Sequence, residues 1–230
     1  MPPPLIDVII PAYNEQESIG KVVMDIDRQL IREVIVVDNR STDLTSETAG
    51  ATGATVLREE EQGYGAACLK GMAYITSKSI QPDIVVFIDG DYSDYPEEME
   101  QLIAPIIKDD MDFVIGSRAL GKREPGAMFP QQLFGNWLAT TLLRWFYGVK
   151  FTDLGPFRAI KWEKLLELEM RDRNYGWTVE MQLKAAKQKL KCTEVPVRYR
   201  KRIGVSKVSG TVKGTMMAGY KIITTIFKYV

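Results

Sequence analysis

Histidine is missing from all 230 residues. Its absence removes Ser-His-Asp and Cys-His triads, imidazole general bases and the common zinc ligand together. Cysteine is scarce: Cys68 and Cys192 share no metal-binding spacing, and so few thiols point to a reducing compartment, most simply cytoplasm. No secretory leader is expected, because Met1-Pro-Pro-Pro-Leu5 runs directly into a strand-like segment. Acid is nearly absent from one region, since residues 187–230 hold eleven basic side chains against one carboxylate, Glu194. The chain as a whole has a formal net charge of zero, so the preceding residues carry a matching acidic excess. A basic tail on an acidic body suits an anion: a phosphate, a lipid headgroup or nucleic acid. Nucleic acid is disfavoured, as the tail's aromatics are not interleaved as a stacking platform and no recognition motif accompanies the charge.

Long uninterrupted apolar runs are also missing. The stretch from Pro125 to Leu143 has no charge, but its prolines, glycines and amides argue against a membrane span. What is present instead is alternation. Strand-like runs at Ile6–Ile10, Val34–Val37, Ala54–Leu57, Ile84–Ile88 and Phe113–Gly116 are separated by helix-like segments. Glu15–Leu30 is expected as the first helix, Ser41 or Thr42 as the cap of the second with Asp43 at its positive end, and Pro96 as the opening of the fourth. This rhythm predicts an α/β fold with a mostly parallel sheet covered on both faces. Beyond Ala119 come a Gly/Pro-rich loop at Gly121–Pro130, expected to be mobile, and helices at Gln131–Tyr147 and Tyr175–Lys189. A strand follows at Val195–Tyr199, then a basic loop at Arg200–Ser209. Thr211–Val230 places Val212, Met216, Tyr220, Ile223, Phe227 and Val230 on one face, flanked by lysines. Such an amphipathic helix packs on a domain or lies in a membrane interface.

The stretch Ile84–Pro96, IVVFIDGDYSDYP, carries the chemistry. A buried strand ends abruptly in Asp89-Gly90-Asp91, and ligands of open α/β sheets bind beyond the carboxyl ends of strands. Two carboxylates this close repel, which a hard divalent cation relieves while bridging substrate phosphates; an ordinary Asp-Gly turn is the competing reading. A dinucleotide oxidoreductase needs G-x-G-x-x-G after the first strand, and Pro11-Ala-Tyr-Asn-Glu15 stands there instead. Transfer of a group from a nucleotide diphosphate needs a base and ribose site, a metal for the diphosphate and positive charge for the leaving group. Asp38 and Asp43, Asp89 and Asp91, and Arg202 with Lys207 offer these from separate segments.

PAYNE, VVDNRSTDLT, Gly63-Tyr-Gly65-Ala-Ala, DGDYSDYP, Gly116-Ser-Arg118, DLGPFRA and RIGVSK together resemble family 2 glycosyltransferases with the GT-A fold. More narrowly they resemble the dolichyl- or polyprenyl-phosphate sugar synthases. The resemblance implies a single GT-A catalytic domain over 1–210, with a nucleotide-sugar half at 1–118 and an acceptor half at 119–210, followed by the amphipathic helix at 211–230. It implies an inverting transfer of a hexose from a UDP- or GDP-sugar to a polyprenyl or dolichyl phosphate, assisted by Mg²⁺ or Mn²⁺. Pro11, Ala12, Tyr13, Glu15, Asp38 and Gly65 would line the nucleotide-sugar pocket. Asp89 and Asp91 would be the metal-binding pair, with Asp91 the firmer ligand and Asp89 nearer the ribose or diphosphate. Arg118 would meet the acceptor phosphate, and Asp153 and Glu180 would orient an acceptor or metal-bound group. Arg202, Ser206 and Lys207 would grip phosphates.

An ionised phosphate acceptor needs little help from a general base, whereas for a hydroxyl acceptor Asp153 is the candidate base. Alternatives are a soluble enzyme acting on a saccharide or small-molecule hydroxyl, and a non-catalytic nucleotide-sugar-binding module. Asn39 replaces the second acid of the usual pair, and Asp94 stands where many relatives carry histidine. Membrane contact for a lipid acceptor falls to the Gln131–Tyr147 and Thr211–Val230 helices, placing the protein in the cytoplasm, peripheral to the membrane's cytoplasmic face.

Overall fold

Strand residues alternate their side chains between two faces, and here both faces are apolar. In β4 (Ile84–Phe87), Val85 and Phe87 enter one core while Ile84 and Val86 enter the other. A computed structural model describes residues 3–204 with Thr224, Thr225 and Lys228. The remaining strands are β1 (Ile6–Ala12), β2 (Glu33–Asp38), β3 (Thr55–Arg58), β5 (Phe113–Ser117), β6 (Arg158–Lys161) and β7 (Cys192–Pro196). They form one seven-stranded sheet in the order β3-β2-β1-β4-β6-β5-β7. β1, β2, β3 and β4 run parallel, as do β5 and β7, whereas β6 is antiparallel to both of its neighbours. The expected mostly parallel sheet is therefore present, with one reversed strand beside its central β4. β6 belongs to the DLGPFRA motif and arrives from downstream to separate β4 from β5.

Helices α1 (Ile19–Asp25) and α4 (Met99–Lys108) cover one face, while α3 (Tyr64–Thr76), α5 (Pro130–Tyr147), α6 (Trp162–Glu167) and α7 (Trp177–Lys187) cover the other. Phe87 meets Trp177 edge-on at 5.9 Å between ring centroids, joining the centre of the sheet to α7. Arg158 is fully buried beside that core. Its guanidinium donates to the carbonyls of Leu154, Gly155 and Thr178, and burial lowers its pKa to about 10.

Several local expectations are corrected. The first helix spans seven residues rather than Glu15–Leu30, because Ile26 turns extended and the Asp27 carboxylate takes the Gln29 N–H to form a local turn. Helix α2 (Thr45–Ala51) begins after Leu44 and is not capped by Ser41 or Thr42. Their N–H groups bond to Asp38 and Asn14 respectively, and Asp43 holds the Thr45 N–H at 3.1 Å. The last strand lies three residues upstream of Val195–Tyr199, in register with β5. The Gly121–Pro130 loop is tied down at its start: Tyr199 N–H donates to Lys122 O, and Glu124 N–H donates to Tyr199 O. The 211–230 helix lies outside the described residues except at Thr224, Thr225 and Lys228, which are helical. Among the described residues no helix is long and apolar enough to cross a membrane.

Close packing of α3 on β1 is testable. A Cβ on Gly71 would stand 2.9 Å from Ile9 Cγ2, a branched group held in the sheet. Helix propensity favours Ala by about 1 kcal/mol, but overpacking costs roughly 1–3 kcal/mol. Gly71→Ala is expected to lower urea-unfolding stability by about 1 kcal/mol; a gain in stability would show that this contact has room.

Candidate active site

The parallel strands β1, β2 and β4 end on one edge, and the loops that follow them build a cleft. It is lined by Pro11, Ala12, Tyr13 and Glu15 from the first loop and by Asp89, Gly90 and Asp91 from the fourth. Asn39, the Gln62–Tyr64 turn, Tyr175, Arg202 and Asn174, which packs against Gly63, complete the lining. The sequence-predicted Pro11, Ala12, Tyr13, Glu15, Asp89, Asp91 and Arg202 are thus brought together from segments far apart in the chain.

The first loop is locked to the segment after β2. Asn14, at φ 53°, donates its N–H to Ser41 Oγ and accepts the Thr42 N–H, while Glu15 N–H donates to Thr45 Oγ1. This leaves the Glu15 carboxylate facing the cleft, where Arg202 Nη2 lies 3.0 Å from Oε1. The same guanidinium reaches Asp91 Oδ2 at 3.2 Å. Asp91 Oδ1 accepts the Ser93 N–H at 2.9 Å, which fixes the carboxylate's rotation.

Carboxylates crowd this edge. Asp89 Oδ1 is buried without a hydrogen-bond partner, although the residue itself opens partly onto the cleft. Burial, reinforced by the charge of Asp91, raises its pKa to about 7. Both oxygens of Asp94 are buried and unpartnered, and burial together with the nearby Asp89 pushes its pKa well up. Arg118 lies outside the cleft lining, its Nε and Nη2 gripping the two oxygens of Asp153 at 2.8 and 2.7 Å. Burial works against the Arg118 charge, but Asp153 outweighs it and the pKa is raised.

Other predicted residues serve the cleft from behind. Asp38 accepts the Ser41 N–H and the Ser46 hydroxyl and shapes the β2 loop. Gly65 lies outside the lining because backbone packs against it: a Cβ there would fall 2.0 Å from Asp172 O. Glu180 does not face the cleft either. Its carboxylate accepts the Arg171 and Asp172 N–H groups and pairs with Lys184 at 2.8 Å, so it shapes the loop that presents Asn174 and Tyr175. Asp153 is not a free base, being held in the two-point pair with Arg118. Ser206 and Lys207 lie outside the described residues.

Sequence reasoning missed Asn174 and Tyr175, for which no local pattern exists, and noted Asn39 only as a replacement for the usual second acid. The Asn39 amide accepts the Gly63 N–H at 2.7 Å and donates to Glu61 O at 2.6 Å, stapling the base-side turn. A carboxylate there would lack the donor that Glu61 O requires.

The pattern of glycosyl transferase family 2 matches residues 7–168. The chain belongs to that family. Among its curated relatives, a dolichyl-phosphate hexose transferase of Haloferax volcanii is 33% identical over 87% of this chain and 85% of that one. An undecaprenyl-phosphate mannosyltransferase of Micrococcus luteus is 29% identical over 90% and 88%. Glycosyltransferase AglJ of H. volcanii is 31% identical, and the alignment spans 87% of this chain but 64% of that protein's length. Glucosyl-3-phosphoglycerate synthase of Mycobacterium tuberculosis, solved with Mn²⁺, UDP and glucosyl-3-phosphoglycerate, superposes with a TM-score of 0.77. That match covers 98% of this chain and 80% of that one at 23% identity. The shared architecture is the GT-A fold.

The donor set of this family 2 enzyme fits a hard cation. Among the described residues no three acidic or thiol side chains form a complete metal cage. Two carboxylates, one with an orphan oxygen, match an ion that completes its shell from phosphate and water.

The raised Asp89 pKa has a consequence for stability without metal. From about pH 4 to pH 7 the folded protein holds a proton that the unfolded chain has released, so stability falls as pH rises through that window. Asp89→Asn cannot ionise. It is expected to be more stable than the parent at pH 8, by on the order of 1 kcal/mol or more, with the advantage vanishing near pH 4. Parallel melting-temperature curves against pH would contradict this.

Proposed function

We propose that the protein is an inverting hexosyltransferase that moves a sugar from a nucleotide diphosphate to a polyprenyl or dolichyl phosphate. The observation that carries the reading is the meeting of Asp89 and Asp91 with Arg202 across one cleft: two acids for a metal-bound diphosphate, one cation for its departing charge. Residues 1–210 would act as one catalytic unit, with 1–118 binding the donor and 119–210 the acceptor, and Arg202 reaching back to the donor. Pro11, Ala12 and Tyr13 would enclose base and ribose.

Asp91 and Asp89 would hold Mg²⁺ or Mn²⁺, which when bound supplies positive charge at the diphosphate oxygens. Arg202, released from Asp91 and Glu15, would turn to the same phosphates and stabilise the leaving charge. The acceptor oxygen would attack the anomeric carbon from the opposite side, giving inversion. A phosphate is already ionised near neutral pH and needs no base. That agrees with a chain lacking histidine and with Asp153 tied to Arg118. The same facts weigh against a hydroxyl acceptor. Arg118, anchored by Asp153, would present its remaining guanidinium edge to the acceptor phosphate, with Ser206 and Lys207 joining it.

A lipid acceptor is supported by the names of the dolichyl- and undecaprenyl-phosphate relatives and by one surface. Phe129, Leu133, Phe134, Trp137, Trp145 and Phe146 are all exposed on or beside α5. Aromatic side chains on a helix with one charge, Arg144, suit the headgroup boundary of a bilayer. The protein would then work at the cytoplasmic face of the membrane.

Incubating the full chain with Mn²⁺ or Mg²⁺ and a panel of UDP- and GDP-sugars, with and without polyprenyl phosphate, tests the reading. Lipid-dependent release of UDP or GDP is the expected result. Asp91→Asn should reduce this transfer by at least about a hundredfold, as loss of a metal ligand forfeits several kcal/mol of charge stabilisation; unchanged turnover would remove Asp91 from its role. Exchanging Trp137 and Trp145 for glutamate should cut liposome flotation severalfold while leaving UDP or GDP binding intact. Equal flotation of parent and variant would dissociate α5 from the membrane.

A further inference from the structure

The acidic turn after β4 is held from outside as well as by its internal Ser93 N–H to Asp91 Oδ1 bond. Tyr92 sits at φ 64°, in the left-handed region disfavoured for a residue with a Cβ. Each of the four carbonyls from Asp91 to Asp94 accepts a hydrogen bond from the segment that opens the basic loop. Asp91 O accepts from Ile203 N–H at 3.0 Å and Ser93 O from Arg200 N–H at 2.9 Å. Tyr92 O and Asp94 O accept from Nε and Nη2 of the Arg200 side chain, at 2.6 and 3.2 Å. Three of the four bonds therefore come from one residue. The Arg200 guanidinium also lies over the Tyr92 and Tyr95 rings, at 3.3 and 4.2 Å from their centroids. Two residues further on, Arg202 extends to Asp91 Oδ2 and Glu15 Oε1.

We propose that Arg200 is a positioning residue: its guanidinium fork clamps the Asp91–Asp94 turn to the 200–203 segment and thereby fixes the Asp91 carboxylate opposite Arg202. Arg200 touches neither cleft nor substrate in this arrangement. It sets the distance between the acid and the cation that the transfer reaction uses, because the two side chains project from backbones that it bridges. A planar fork is required. Two carbonyls two residues apart must be met at once by groups lying flat on a tyrosine ring, and an ammonium offers one donor point and no flat face. The clamp also compensates the left-handed Tyr92, which holds Asp91 and Ser93 in a tight turn without glycine.

The inference rests on the proposed donor chemistry only for its consequence in function; the clamp itself is measurable in the ligand-free chain. Amide hydrogen exchange is compared in the parent, Arg200→Met and Arg200→Lys, together with calorimetric binding of UDP and GDP with and without Mn²⁺. Losing hydrogen bonds from a charged donor is worth about a tenfold change or more. The expected result is that the Ser93 and Ile203 amides exchange at least about tenfold faster in both variants, with β1 and β4 amides unchanged. Mn²⁺-dependent nucleotide affinity should fall by a similar factor while metal-free affinity holds within about twofold.

Unchanged exchange at Ser93 and Ile203 in Arg200→Met overturns the clamp. Parent-like behaviour of Arg200→Lys beside a defective Arg200→Met overturns the need for a fork. A uniform loss of protection across the sheet overturns the local role in favour of a general structural one. Should Arg200→Met fail to fold, Arg200→Lys decides by the same two readouts. A parent protein that binds no nucleotide, with or without Mn²⁺, would count against the proposed function and leave the exchange result to judge the clamp.

Discussion

Repulsion among carboxylates at the end of β4 is the constraint on which the rest of the structure turns. Asp89, Asp91 and Asp94 lie within six residues and are gathered where the sheet stops, with little water to screen them. In a medium of low effective dielectric such a group stays ionised only beside compensating charge. The fold supplies that compensation from far along the chain. Arg202 pairs with Asp91, and Arg118 lies close enough to offset the charges of Asp89 and Asp94. The balance remains incomplete, as the orphan oxygens of Asp89 and Asp94 attest. That residual imbalance is what a divalent cation would relieve.

A second layer of polar groups keeps the first in place. Asn39 staples the Gly63 turn, Glu180 gathers the Arg171–Asp172 backbone, and Glu194 accepts the Thr152 and Asp153 N–H groups. Each binds backbone groups of the loops around the cleft, and Glu180 and Glu194 also meet the Lys184 and Thr152 side chains. This explains why acids that are plausible catalysts by motif, Glu180 and Asp153 among them, turn out to be engaged already. Loops carry unsatisfied N–H and C=O groups, and a buried loop edge folds reproducibly only when side chains meet those groups.

Apolar exposure is as unevenly distributed as charge. The sheet buries its side chains almost completely on both faces, yet α5 leaves two tryptophans and three phenylalanines on or beside it open. Its inner side is secured by Ala139 and Leu143 and by Asn136, whose amide bonds both Thr152 O and Leu154 N–H. The helix is thus anchored next to the Arg118–Asp153 pair while presenting an apolar outer surface.

Much of this was legible from residue order. Strand runs such as Ile84–Phe87 are apolar at every position, which only a sheet covered on both faces tolerates, and the turn residues after them mark the edge where a ligand binds. The acidic pair, the PAYNE loop and Arg202 were recognisable because residue type and order survive without coordinates. Helix ends were less legible: Asp27 forms a local turn that helps end α1, and Thr42 gives its N–H to Asn14 from a distant segment instead of capping α2. The reversed strand β6 could not be read, since four residues of RAIK carry no signal of direction. Nor could the engagement of Asp153 by Arg118, or the four carbonyls of the Asp91–Asp94 turn held from residues 200–203. A sequence specifies which groups can donate, accept or ionise, and its local pattern selects helix or strand. Which donor meets which acceptor across a hundred residues depends on how the sheet is ordered, and only the folded chain decides that.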